Sequence, residues 1–526
     1  MVRSGTRGAY APARPPARRW RRPRRGGPQP PPWVLAWIAR RRRVELGLVL
    51  FAIAITAAGH AVVGLTLDER LPSGLPAHTL GLGALALAAH LVVRRFARYA
   101  DPLILPVTVL LTGLGLVLID RLDHAYAVHL ADEPWQAQPV APDQVRWAVI
   151  AVSLLMATLV TLRHHRALQR YPYLGMAVAM ALLMAPAFFG EDTYGAKRWI
   201  TFGSFSVQPG EFVKVMIVVF FASYLMANRD ALALVGRRVW GVALPRGRNV
   251  GPILAVWAVS LVVLFYERDL GTSLIFFGVF VAMLYIATSR PGWLVFGALL
   301  AVVGTVTVAA TQEHVHGRVR AWLDPMAAFL PPERQPSGVV SDQAAQALFS
   351  FGAGELTGTG LGQGHSWLVR FAGRSDYILT TVGEELGLLG LTLVLLLYAL
   401  LVQRGLRAAM VTPDPFGKLL AAGLSTVLAL QVFVIAGGVT GLIPFTGKAL
   451  PFLAQGGSAT VANWLLVALL IRVSDRAGRA VTEPEGNATI IIPAAAETPP
   501  ARGHRADRPD PIVPGLRTNG RERRRR

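Results

Sequence analysis

The stretch "YGAKRWITFGSFSVQPGEF", Tyr194 to Phe212, separates two apolar runs near 173–189 and 211–228 and carries Lys197, Arg198 and Glu211. A helix needs about 20 apolar residues to cross a hydrocarbon core, so each flanking run reads as a span. The charged, Gly- and Pro-punctuated piece between them then lies at a membrane face. Its end, Gln208-Pro209-Gly210-Glu211, reads as the start of the next helix, because Pro is tolerated in a first turn and an acid there is a common start signal.

The rest of the chain repeats this pattern. About twelve apolar runs fall near 44–64, 78–95, 102–119, 146–163, 173–189, 211–228, 251–267, 271–288, 292–310, 381–402, 417–438 and 457–474. Hydrophobic residues make up 53% of the 526, charged residues only 16%, and mean hydropathy is +0.44, which excludes an ordinary soluble core. Inside loops are basic in short membrane connections. With the N-terminus inside, every even-numbered span ends on a basic loop such as "RRFARYAD" or "LRHHRALQR", while the opposite loops, such as "TLDERLPSG" and "ERDLGT", are acidic or mixed. The expected fold class is therefore an all-α polytopic integral membrane protein of about 12 transmembrane helices, with both termini cytoplasmic and one large extracellular loop at about 311–377.

The net charge of +22 sits mostly in the tails. Residues 1–43 hold 13 arginines and no acid, and residues 475–526 hold 11 arginines against 7 acids. Both tails lack apolar periodicity and are expected to be disordered cytoplasmic segments flanking a membrane domain at 44–474. Their expected contacts are anionic membrane lipids rather than nucleic acid. The start of the chain lacks the short n-region and A-x-A site of a secretory signal, so the first apolar run is expected to be a retained span. The absence of cysteine excludes disulfides and thiolate metal sites.

Three polar places share the outer side in this topology: the opening stretch, the long segment from about Thr311 to Tyr377, and "TGLIPFTGKALPFLAQGGS". Lys197 and Arg198 fit capture of a phosphate-bearing headgroup, Arg being able to bridge two oxygens. Glu211 and Lys214 are spaced to pair on one helix face, and an ionisable pair within a span is a functional candidate. Glu267, Arg268 and Asp269 in "ERDLGTS" repeat the charged pattern by interrupting two apolar runs that would otherwise merge, and they also suit a hairpin turn that needs charge to stay in water. Arg318, Arg320 and Asp324 are spaced to face one cavity, and Gln343 and Gln346 to share a helix face. The glycines from 352 to 364 allow a tight backbone path but form no phosphate loop, since no G-K-[ST] follows. Asp376, Glu384 and Glu385 approach the tenth span and need partners. Around Lys448, two prolines and several glycines break any regular helix, and irregular backbone at membrane depth survives only where protein or a cavity covers it.

In this order, "GAKRWITFGSFSVQPGEFVK", "ERDLGTS", "RVRAWLDP", "DQAAQALFSFGAGELTGTGLGQG", "SDYILTTVGEELGLLG" and "LIPFTGKALPFLAQGGS" resemble the SEDS (shape, elongation, division and sporulation) proteins, the FtsW/RodA/SpoVE group. The resemblance implies about ten spans, two fewer than counted here. It also implies a peptidoglycan glycosyltransferase that polymerises lipid II, carried on undecaprenyl pyrophosphate, beside a class B penicillin-binding transpeptidase. Such chemistry needs a carboxylate base and stabilisation of the departing pyrophosphate. Lys197, Arg198, Glu211, Lys214, Arg318, Arg320, Asp376, Glu384 and Lys448 are the expected substrate-binding residues. No cofactor is required, although a divalent cation, Mg or Mn, could assist. The family's essential loop Asp, a few residues before G-Y-Q-x-x-Q, falls near Gln335 in "PPERQPSGVVSDQAAQ", and Asp342 replaces the Tyr. Either the base is Asp324, with Asp342 and Glu333 as alternatives, or activity is weak. Two further departures are "LPFLAQGGS", with Ala454 and Gln455 in place of Ser-Tyr, and "QPGE". The competing readings are a lipid-linked precursor flippase, which calls for midplane polar groups and internal repeats, and a silent scaffold of a division or elongation complex.

Overall fold

The computed structural model describes residues 31–132, 138–193, 196–203, 205–232, 235–239, 242–245, 254–259, 269–311, 313–331, 333–335 and 342–482. The chain divides into two units, 1–484 and 485–526, and every described residue lies in the first. In order come helices α1 (Pro32–Asp68), α2 (Leu75–Phe96), α3 (Ile104–His129), α4 (Ala141–Thr161) and α5 (Pro172–Phe189). Strands β1 (Glu191–Thr193), β2 (Ala196–Phe202) and β3 (Phe205–Val207) lead into α6 (Pro209–Leu232). Next are β4 (Val235–Val239), β5 (Val242–Pro245), α7 (Leu270–Thr288), α8 (Gly292–Thr311) and α9 (Glu313–Leu323). The chain continues through α10 (Gln343–Gly354), α11 (Ile378–Glu385), α12 (Gly387–Val411), α13 (Pro415–Val439) and α14 (Gly457–Thr482).

Among the described residues, 10 helices are long and apolar enough to span: α1 to α7 and α12 to α14. The protein is a mostly helical, multi-pass membrane protein. Of the two remaining expected spans, 251–267 lies largely outside the described residues, and 292–310 is the helix α8. The all-α expectation is corrected by two small antiparallel sheets, β1-β2-β3 and β4-β5. The opening stretch is not a loop: Ile200 pairs with Val207, Thr201 with Ser206 and Phe202 with Phe205 around a turn at Gly203, whose φ of +61° favours glycine. The tail boundaries also shift. α1 begins at Pro32, because Arg is a good helix former and Pro at a first helical position is preorganised, and α14 runs on to Thr482. The remainder of both tails lies outside the described residues.

α3 and α14 are buried at the centre, with 78% and 89% of their apolar windows covered, whereas α5 is covered over only 17%. Lipid tails are as apolar as Leu, so a peripheral helix loses nothing by showing its side chains outward. One core packs α3 and α4 with α12 and α14, and a second packs α6, α7 and α13 with α14. The segment after α8 is not structureless: it contains α9, α10 and 3-10 turns at Pro325–Phe329 and Ser366–Arg374.

Candidate functional site

The site is built on the connection from α13 to α14, residues 440–456, which has no regular helix. Its irregular backbone is covered by protein, as physics requires at membrane depth. Leu450, Phe452, Leu453 and Ala454 are buried, and Tyr398 on α12 donates to the Pro451 carbonyl. Gln144 on α4 donates to Thr460 Oγ1 at 2.9 Å and accepts the Gly456 amide at 3.1 Å. α3 comes so close that a Cβ on Gly115 would collide with the Leu453 carbonyl. α9 clamps the other side: Arg318 donates to the Thr446 carbonyl at 2.9 Å, and Trp322 to the Gly441 carbonyl at 2.7 Å.

This connection carries Lys448 into a buried charge network. Lys448 Nζ lies 2.8 Å from Asp269 Oδ2 and 3.4 Å from Glu211 Oε1. Asp269 also caps α7, accepting the Thr272 amide at 2.9 Å and its hydroxyl at 2.8 Å. The Glu211 oxygen Oε2 meets Lys214 Nζ at 2.7 Å, and Lys214 donates further to Gln431 at 3.1 Å and Asn463 at 3.0 Å. Lys448 and Glu211 are each only 5% exposed, Lys214 4% and Asp269 0%. Burial disfavours charge on Asp269, yet the Lys448 ammonium, the Arg198 guanidinium and the hydrogen bonds from Lys448 and Thr272 hold its carboxyl below the usual range. Burial likewise opposes charge on Lys448, but Asp269 and Glu211 raise it above the ordinary lysine value.

Two half-buried arginines complete the group. The charge of Arg198, on β2, acts on Asp269, Lys448, Arg318 and Asp376. Arg318 and Asp376 flank Gly447, where a Cβ would come to 3.5 Å and 3.6 Å of their side chains and where a φ of +68° favours glycine. Burial pushes the Asp376 carboxyl above the usual carboxylate range, against a 2.6 Å hydrogen bond from the Ser375 hydroxyl and the Arg318 charge. Among the described residues, Arg198, Lys214, Arg318 and Lys448 lie with Glu211, Asp269 and Asp376. Arg198 and Arg318 are the half-buried cations of this group, placed to meet an incoming anion.

The structure thus brings Arg198, Glu211, Lys214, Arg318, Asp376 and Lys448 together. It corrects the expected role of Lys214: an ammonium has three donors, and all three are engaged by Glu211, Gln431 and Asn463, so Lys214 supports Glu211 from within. Glu384 contacts other groups. Its Oε1 accepts the His365 amide at 2.5 Å and its carbonyl the Thr359 amide at 2.9 Å, while Glu385 accepts the Gly362 amide at 3.0 Å and forms an ion pair with Arg121 at 2.5 Å. These two acids hold the glycine-rich segment. Arg320 is exposed, and Asp324, also exposed, follows α9 at the head of a 3-10 turn. Asp342 is half-buried and accepts Gln346 Nε2 at 3.3 Å, and Glu333 is exposed. Lys197 is in β2, but its side chain, like Glu267 and Arg268, lies outside the described residues. Asp269, Gln431, Asn463 and Gln144 were not among the expected site residues, and only Asp269 had a sequence signal, within "ERDLGTS".

A family profile described as the cell cycle proteins FtsW, RodA and SpoVE matches residues 102–478. The chain belongs to the FtsW/RodA/SpoVE family. Among members of this family, the peptidoglycan glycosyltransferase RodA of Mycobacterium tuberculosis (strain ATCC 25618 / H37Rv) is 41% identical over 474 residues, 89% of this chain and 98% of that protein. Stage V sporulation protein E of Bacillus subtilis (strain 168) is 29% identical over 385 residues, 71% of this chain and 96% of that protein. A solved structure from work on the structural coordination of polymerization and crosslinking by a peptidoglycan synthase complex shares the fold of this chain. It has a TM-score of 0.51 at 21% identity and covers 71% of this chain and 97% of that one.

Proposed function

We propose that this chain is a peptidoglycan glycosyltransferase that polymerises lipid II at the outer face of the cytoplasmic membrane. Membership of a family whose relatives carry that activity in their names supports the reading, and the cluster of Arg198, Arg318 and Lys448 around Asp269 and Asp376 carries it. The 4-hydroxyl oxygen of one lipid-linked sugar attacks C1 of the other. The C1–O bond to undecaprenyl pyrophosphate breaks, its electron pair leaves on the pyrophosphate, and the hydroxyl proton passes to a carboxylate. Arg198 and Arg318, half-buried and therefore reachable, take the pyrophosphate charge, and the buried Lys448 holds the connection that presents them.

Asp324 is the proposed base. It follows α9 about two turns beyond Arg318, or about 9 Å of helical rise, so when a donor's pyrophosphate lies at Arg318, the acceptor 4-hydroxyl attacking its C1 from the far side approaches Asp324. Asp342 and Glu333 are the alternatives within the same segment. Asp376 is a further alternative, because it lies within the cation group and burial makes its carboxylate more basic. Among the described residues there is no group of three or more His, Asp or Glu side chains able to hold a metal ion. In this reading Arg198 and Arg318 carry the charge-stabilising role, and a divalent cation, Mg or Mn, would assist by neutralising pyrophosphate charge.

The topology proposed for this activity has twelve spans and both termini inside, supported by the basic loops. The proposed partner is a class B penicillin-binding transpeptidase. One observation favours a flippase as second reading: the Lys214–Glu211–Gln431–Asn463 network lies inside the spans α6, α13 and α14. The full chain reconstituted with its cognate transpeptidase and lipid II decides between them. Strand formation in the presence of moenomycin supports polymerisation, lipid II translocation without strands supports the flippase, and neither supports the scaffold.

A further inference from the structure

α1 and α2 precede the residues matched by the family profile, and they form a pocket of ≈ 280 Å³ between the N-terminal third of α1 and the C-terminal end of α2. Its polar wall is Arg42, Arg43, Arg94 and Arg98. Its apolar wall includes Leu35, Ile38 and Leu46. Arg42 is 3% exposed, bonded to Glu45 and to the Ala100 carbonyl, and its Nε, equally buried, has no partner among the described residues. Glu45 in turn holds His90 at 2.7 Å. Glu45 is thus shared between Arg42 and His90. Arg43, Arg94 and Arg98 are exposed, and among the described residues none has an acidic partner.

We propose that this pocket is a binding site for an anionic phospholipid, distinct from the lipid II site. α1 is 37 residues long, about 55 Å of helix against a hydrocarbon core of about 30 Å, so its Arg-bearing turns extend into the headgroup layer. Three exposed guanidiniums there, with no acidic partner among the described residues, suit phosphate oxygens, which Arg can bridge two at a time. The adjoining Leu and Ile side chains suit the upper part of an acyl chain, which a soluble phosphate lacks. Basic pockets between spans on the cytoplasmic side commonly take such headgroups, and the topology proposed above puts this one there. Lipid retention itself is independent of that topology and of polymerase activity.

The test uses the detergent-solubilised full chain, exchanged into phosphatidylglycerol, cardiolipin or phosphatidylcholine and read by native mass spectrometry. Retention of either anionic lipid over phosphatidylcholine by roughly tenfold or more is expected. It should be lost in R43Q/R94Q/R98Q and kept in R40Q/R95Q/R163Q, which removes as many exposed arginines outside the pocket. Thermal unfolding of both variants verifies that each is folded. Undiminished retention by R43Q/R94Q/R98Q, or equal loss in R40Q/R95Q/R163Q, overturns the site. Displacement of the lipid by millimolar inorganic phosphate overturns the lipid assignment in favour of a soluble anion.

Discussion

Lys448, on the irregular connection before α14, meets Asp269, the cap of α7, at 2.8 Å with almost no solvent access to either. The contact fixes the connection against a span distant in sequence, and Glu211 on α6 joins it at 3.4 Å. Removing one member of a buried pair leaves an uncompensated charge and costs about 3–5 kcal/mol. Lys448→Met should therefore lower thermal stability in detergent by that order. Adding Asp269→Asn should recover part of the loss, and a double-mutant cycle with no coupling would remove the pair from the account.

The same pair sets a pH window. The folded Asp269 carboxyl lies below its ordinary 3.8, so its contribution is present above that value and lost as pH falls through the lower, folded one. The folded Lys448 lies above 10.5, so its contribution is present below 10.5 and lost as pH rises through the higher, folded value. The stability difference between wild type and Lys448→Met/Asp269→Asn should be flat across neutral pH and shrink at both extremes. Denaturant midpoints over a pH series measure it.

Arg198 and Arg318 are expected to act on substrate. A hydrogen bond to a charged group contributes about 1.5–3 kcal/mol, so Arg198→Ala or Arg318→Ala should cost roughly 10- to 100-fold in kcat/KM for lipid II. Lysine at either position should restore only part, because it lacks the planar fork. Circular dichroism and the thermal midpoint separate this loss from unfolding.

At the α13 end, Asp414 accepts the Gly417 amide at 3.1 Å and lies 2.8 Å from His165. Despite burial, the His165 hydrogen bond and charge, with the Gly417 amide and Arg166, hold its carboxyl at about 2. Asp414→Ala should destabilise by about 0.5–2 kcal/mol as a lost cap. The difference from wild type should narrow only as pH falls below 3.8 toward 2, which paired denaturation curves would show.

Spans were legible in the sequence because lipid imposes one simple rule on length and apolarity, and Pro209 with Glu211 marked the start of α6 as read. The pairing of Glu211 with Lys214 followed from helical spacing. The β1-β2-β3 sheet was not legible, because its strands are short and the Gly203 turn resembles any polar loop. Nor were the partners of Lys448 and Lys214: Asp269, Gln431 and Asn463 come from three different helices, and only tertiary packing selects them. Glu384 and Glu385 looked like site acids because the acceptors of a glycine-rich segment carry no local signature.

The most direct measurement is glycan-strand synthesis from lipid II by the reconstituted full chain with its transpeptidase, in the presence of moenomycin, comparing wild type with Asp324→Ala. Long strands from wild type and none from Asp324→Ala are the predicted result. Equal strands from both would contradict the base assignment, and no strands from wild type with any transpeptidase would contradict polymerisation itself.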